Sequence, residues 1–153
     1  MYKIYCDMDG VITDFIKALT DIGYTIKQLD DTPALVWPAI DRKGVGFWSK
    51  MKWTPDGKHL WNYIKKYDPE ILSSPSKNEA SKTGKRIWVK QELGDDVRIN
   101  LIYKKQKQKF AAADHILIDD HPDNIARWID QGGIGIKHTN TEDSIKQLKE
   151  LGL

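Results

Sequence analysis

Asp7 and Asp9 stand two residues apart in Ile4-Tyr5-Cys6-Asp7-Met8-Asp9-Gly10-Val11, at the end of a short apolar run. Side chains alternate in extended backbone, so both carboxylates emerge on one side, and Gly10 permits the tight departure that leaves them open at a strand end. Strand ends are where open α/β sheets place their ligands. Asp-x-Asp-Gly is also ordinary turn chemistry. A second apolar run ending in carboxylates, His115-Ile116-Leu117-Ile118-Asp119-Asp120, argues for a site instead. Carboxylates gathered on one sheet edge repel unless a cation sits among them, and all-oxygen ligation suits a hard ion such as Mg²⁺.

Elements able to position these groups follow from the pattern. Phe15, Leu19 and Ile22 suggest a short helix ending near Gly23. Between 24 and 67 the texture changes, with Pro33, Pro38, Pro55 and four of the six tryptophans. That stretch reads as an insertion lying over the strand ends. Trp37 and Trp61 are expected in its own small core, and Phe47 and Trp48 as exposed platforms. Glu70-Ile71-Leu72 reads as the second strand, ending in Ser73-Ser74-Pro75, whose hydroxyls suit either a turn or phosphate oxygens. A helix is expected over 78–93 and a third strand over 97–103. Lys104 to Lys109 reads as a solvated loop, with nucleic-acid contact as its alternative and Lys109 as a cation able to reach the cluster. Pro122 starts a helix that Gly132-Gly133 ends, 134–137 is a fifth strand, and Thr139 with Glu142 has capping-box spacing before a last helix. The alternation implies a mainly parallel five-stranded sheet in a three-layer α/β fold with right-handed crossovers.

The chain has 153 residues and a formal net charge of +2, which fits one domain over 1–153 and gives no global reason for a nucleic-acid or membrane partner. Cys6 is the only cysteine, which excludes an internal disulfide. Without an apolar run of membrane-spanning length or a signal-peptide pattern, a cytoplasmic protein is expected.

Taken together, Asp7-Met8-Asp9-Gly10-Val11, Ser73, Lys109 and Asp119-Asp120 resemble, in order, the four motifs of the haloacid dehalogenase (HAD) superfamily. Within it the chain is similar to the 5'(3')-deoxyribonucleotidases, through Phe15, Gly46-Phe47-Trp48, Ser74-Pro75, Lys85 to Val89 and Leu117 to Asp123. The resemblance implies a Rossmann-like domain with a small helical cap inserted at about 16–67. It further implies a Mg²⁺-dependent phosphatase of (deoxy)nucleoside monophosphates working through an aspartyl-phosphate. Asp7 would be the nucleophile and Asp9 the acid and base. Asp7, the Asp9 carbonyl and Asp120, with Asp119 beside them, would hold Mg²⁺. Ser73, Ser74 and Lys109 would bind phosphate, and Phe15, Phe47, Trp48, Ser49, Lys77 and Lys85 the substrate. The alternatives are a phosphatase of polynucleotide 3'-phosphates or sugar phosphates and a non-enzymatic phospho-acceptor domain. The latter places its acidic doublet before the acceptor aspartate, the reverse of the order here.

Overall fold

Ile4 and Cys6 face one side of the first strand and Tyr5 the other, and the whole fold is assembled about that alternation. The computed structural model describes residues 1–153. Its strands are β1 (Lys3–Cys6), β2 (Glu70–Ser73), β3 (Ile99–Leu101), β4 (His115–Asp119) and β5 (Ile134–Lys137), all parallel in the order β3-β2-β1-β4-β5. β3 is thus shorter than the expected 97–103. Both faces are buried, as parallel sheets require. Ile4, Cys6, Ile71, Ile116, Ile118 and Ile136 join a core completed by α5 (Gly57–Ile64), α6 (Glu79–Glu92) and α8 (Thr141–Glu150). Tyr5, Leu72 and Leu117 meet Ile125 and Trp128 of α7 (Pro122–Asp130) on the opposite face. The expected three layers are present.

Local chemistry explains the helix starts. Asn78 caps α6, its side chain accepting from the Ala80 N–H at 2.9 Å. Pro122 occupies the first turn of α7, where a missing N–H costs nothing. At α8 the cap is Asn140, not Thr139: its side chain accepts from the Asp143 N–H at 2.8 Å. Asp56 fixes that boundary, because its carboxylate and carbonyl hold the Thr141 N–H and hydroxyl, each at 2.8 Å.

After α1 (Phe15–Asp21) come α2 (Ile26–Asp31), α3 (Pro33–Lys43) and the single-turn α4 (Val45–Ser49). This excursion leaves and returns at neighbouring points. The Asp14 N–H donates to the Lys52 carbonyl at 2.8 Å, and Thr13 bridges to Trp53. α5 packs on α8 beside the sheet, so the last part of the expected insertion belongs to the core layers.

α4 docks on α6 through Gly84. A Cβ built there would lie 2.4 Å from the Trp48 Cβ and 2.7 Å from the Val45 carbonyl oxygen. Neither can retreat without moving α4. Gly84→Ala is therefore expected to destabilise the fold by about 1–3 kcal/mol, as forced overpacking does, measured by urea unfolding.

Candidate active site

Asp7 follows β1 directly, and its N–H donates to the Ile118 carbonyl at 2.9 Å, which extends the ladder and sets it beside Asp119 at the end of β4. The chain then turns sharply. The Met8 carbonyl accepts from the N–H groups of Val11, Ile12 and Thr13, and Gly10 sits at φ +83°. A Cβ on Gly10 would fall 2.1 Å from Asp120 Oδ2, so this close approach requires glycine. Carboxylate oxygens of Asp7, Asp119 and Asp120 lie within 4.8 Å of one another.

The two aspartates of the doublet play different parts. Asp119, fully buried, accepts from Lys107 Nζ at 2.8 Å, Asn124 Nδ2 at 3.0 Å and the His121 N–H at 2.8 Å. Arg127 in turn donates to Asn124 Oδ1 at 2.7 Å. Asp119 is consumed by positioning contacts, whereas Asp120 is exposed beside Gly10. Asp9 turns to the other side. Its oxygens accept from the Thr13 hydroxyl at 2.9 Å and from Lys85 Nζ at 2.8 Å, and Lys85 also donates to Ser73 Oγ at 2.7 Å.

Lys107, and not Lys109, is the cation of the cluster. Residues 104–110 form a 3-10 helix rather than a loop, and at three residues per turn Lys107 shares a face with Phe110. Phe110 packs edge-on against Tyr5, which turns that face inward. Lys107 Nζ lies 2.9 Å from Asp7 Oδ1 and 2.8 Å from Asp119 Oδ2, while Lys109 is exposed. Sequence reasoning missed Lys107 because lysines of one run look alike. The usable signal was its three-residue spacing from an apolar aromatic.

Phe47 and Trp48 are buried, at 8% and 3% exposure, and are not exposed platforms. Their rings pack edge-on, centroids 5.0 Å apart, and both meet the half-buried Phe15 at 5.9 Å. The small Gly84 on α6 draws α4 down and takes these rings with it. Trp48 still borders the site, since Lys85 Nζ lies 5.3 Å from its ring. Ser49 is half-buried beside Gly84, and the half-buried Trp53 lies against the fully buried Trp88. Trp61 is buried, but in the main core beside the sheet rather than in a core of the insertion's own, and Trp37 is only half-buried and borders a cleft shared with Ser74 and the exposed Lys77.

Electrostatics follow from the burial. Loss of water, then repulsion from Asp119, raises the Asp7 carboxyl well above the ordinary carboxylate range, with Lys107 opposing. Asp120 is pushed up to about 6, by desolvation first and Asp119 second. Burial alone would lower Lys107, but Asp7 and Asp119 more than reverse this and hold it charged. A hard cation between Asp7 and Asp120 relieves the strain that raises both carboxyls, so an all-oxygen site for Mg²⁺ fits the residues present.

No family model matches the sequence, and no curated protein matches it. Solved structures do share the architecture. A predicted phosphatase from Clostridium acetobutylicum superposes with a TM-score of 0.60 at 14% identity, over 99% of each chain. A HAD-superfamily hydrolase from Ehrlichia chaffeensis gives 0.55 at 14% identity over the full length of both. The fold is HAD-like. A HAD family enzyme from Bacteroides thetaiotaomicron, solved in complex with magnesium and inorganic phosphate, gives 0.50 at 15% identity, over 89% of this chain and 93% of that one. The HAD-like sheet thus carries its carboxylates at the C-terminal ends of β1, the central strand, and its neighbour β4.

Proposed function

We propose that this chain is a Mg²⁺-dependent phosphatase that forms an aspartyl-phosphate on Asp7, with nucleotide-type monoesters, (deoxy)nucleoside monophosphates among them, as substrates. One observation carries the reading: Asp7 is held at a strand end through Oδ1 by Lys107, while its other oxygen accepts no protein donor. A fixed carboxylate with one open oxygen is a nucleophile in waiting. The magnesium-and-phosphate complex of the Bacteroides enzyme supports the same class of chemistry.

In the first displacement the open oxygen of Asp7 bonds to phosphorus as the ester P–O bond breaks, and Asp9 passes its proton to the leaving oxygen. Lys85 then holds the Asp9 carboxylate so formed, at the 2.8 Å contact already in place. In the second, Asp9 takes a proton from water, the water oxygen bonds to phosphorus and the bond to Asp7 breaks, releasing inorganic phosphate. Ser73 Oγ and the remaining Lys85 proton can donate to phosphate oxygens, a part the resemblance gave to Ser73, Ser74 and Lys109. Asp7 and Asp120, with the Asp9 carbonyl, would hold Mg²⁺, which when bound would supply positive charge to offset that of the phosphate. With Phe47 and Trp48 buried, the substrate's ring has Trp37 and Tyr103 as its aromatic walls, which line one cleft.

The deciding assay is phosphate release from deoxy- and ribonucleoside 5'- and 3'-monophosphates and sugar phosphates, with Mg²⁺ or EDTA, beside Asp7→Asn. Asp7→Asn and chelation should each lower turnover by at least about 10⁴-fold. Turnover by Asp7→Asn at the wild-type rate would sink the proposal, and release from sugar phosphates alone would remove the nucleotide preference.

A further inference from the structure

The cleft that holds Trp37 is much larger than a transferred phosphate needs. It encloses about 1020 Å³ between α3 and the segments leaving β2 and β3. Sites that engulf a whole small organic molecule fall near this size. None of the reacting groups lines it, but two of its walls are continuous in the chain with the site. Ser74 adjoins Ser73 and Gln106 adjoins Lys107, so each wall begins one residue from a side chain of the site.

Its charge is lopsided. Lys77, Lys104 and Lys105 line it, against the single carboxylate of Asp41. None of the three lysines has an ion-pair partner, as holds for most lysines of this chain, and what sets these apart is that they share one cleft. Consecutive cations facing one cavity repel each other unless an anion joins them. Trp37 and the half-exposed Tyr103 add flat aromatic surface to the same walls. Rings of this kind take a nucleobase by stacking, without demanding one base.

We propose that this cleft is a subsite for the non-reacting half of a nucleotide that bears a second phosphate, its base against Trp37 and Tyr103 and its second phosphate on Lys77, Lys104 and Lys105. The proposal rests on the phosphatase reading for the fate of the first phosphate, and it narrows the substrate class. Plain monophosphates leave the lysines unanswered. Two sources offer this chemistry: a free nucleoside 3',5'-bisphosphate, and a nucleic-acid 3' end, where the phosphodiester next to the terminal monoester is the second anion.

The test compares a deoxynucleoside 3',5'-bisphosphate, the matching 3'-monophosphate, a 3'-phosphorylated trinucleotide and p-nitrophenyl phosphate, using wild type and Lys104→Ala/Lys105→Ala. Binding of the bisphosphate is followed in parallel by calorimetry. Wild-type kcat/KM should favour at least one of the doubly charged substrates over the monophosphate by about tenfold or more, the scale of a charge-assisted contact. The double variant should erase that preference and keep p-nitrophenyl phosphate turnover within about twofold. A preference for the trinucleotide identifies a chain end, and one confined to the bisphosphate a free nucleotide. Equal kcat/KM for all three nucleotides, or equal losses on p-nitrophenyl phosphate, overturns the subsite. Lysine-dependent binding of the bisphosphate without any turnover upholds the subsite and ends the phosphatase reading. Turnover of p-nitrophenyl phosphate without a doubly charged preference does the reverse, and neither binding nor turnover ends both.

Discussion

Replacing Lys107 by methionine should lower phosphate release by about a thousandfold or more, while Lys109→Met should leave it within about twofold. Lys107 is the only donor on Asp7 Oδ1 and stands between that carboxylate and Asp119. Without it Asp7 loses its anchor and faces Asp119 unscreened. The same change removes one partner from a buried ion cluster, which costs about 3–5 kcal/mol. Thermal unfolding should therefore fall by roughly 10 °C, in contrast to the exposed Lys109. Equal activities for the two variants would refute the assignment of Lys107. Mg²⁺ should restore part of the lost stability, since it screens the same pair of carboxylates.

The second large effect concerns Asp120. Its carboxyl is raised to about 6 in the folded protein, above the ordinary value near 3.9 of an unfolded chain. A folded-state value above the unfolded one gives a contribution that is full below the unfolded pKa and lost as pH rises through the folded one. Asp7 acts in the same direction. In EDTA the protein should thus lose stability between about pH 4 and pH 7, and Mg²⁺ should return it at pH 8. Asp120→Asn should raise the metal-free melting temperature at pH 8 and shrink the gain on adding Mg²⁺. His138 pulls the other way: burial lowers its pKa, so its contribution is present above about 6.5 and is lost as pH falls. The difference between wild type and Asp120→Asn isolates the carboxylate from that background. A Mg²⁺ response unchanged in the variant would remove Asp120 from the metal site.

Strand ends were the most legible part of this chain. Asp7, Ser73 and Asp119 each close an apolar run, and a short continuous apolar run ending at a polar turn marks a strand buried on both faces, as in a parallel sheet. What stayed hidden depended on contacts between distant segments. The start of α8 was displaced from Thr139 to Asn140 because Asp56, far away in sequence, grips Thr141. Phe47 and Trp48 lie on a helix of five residues, too short to show a periodicity that says which way it faces. Gly84, placed mid-helix where glycine normally weakens, was the complementary clue. Lys107 needed knowledge that its run winds as a 3-10 helix, and Asn124 and Arg127 behind Asp119 carried no signal beyond ordinary helix polarity.

The excursion that begins at α1 is sewn to the rest of the chain at a narrow seam, where Asp14 meets Lys52 and Thr13 meets Trp53. Because its two ends are already neighbours, a different segment can be spliced there with little loop-closure cost. The exchange would uncover Trp88, whose indole N–H now donates to the Met51 carbonyl at 2.8 Å, but the ladder carrying Asp7 and Asp119 would keep its register. One wall of the cleft is thereby separable from the rest: Trp37 and Asp41 would leave with a graft at this seam, while Lys77, Tyr103, Lys104 and the carboxylates at the ends of β1 and β4 would stay where the core holds them.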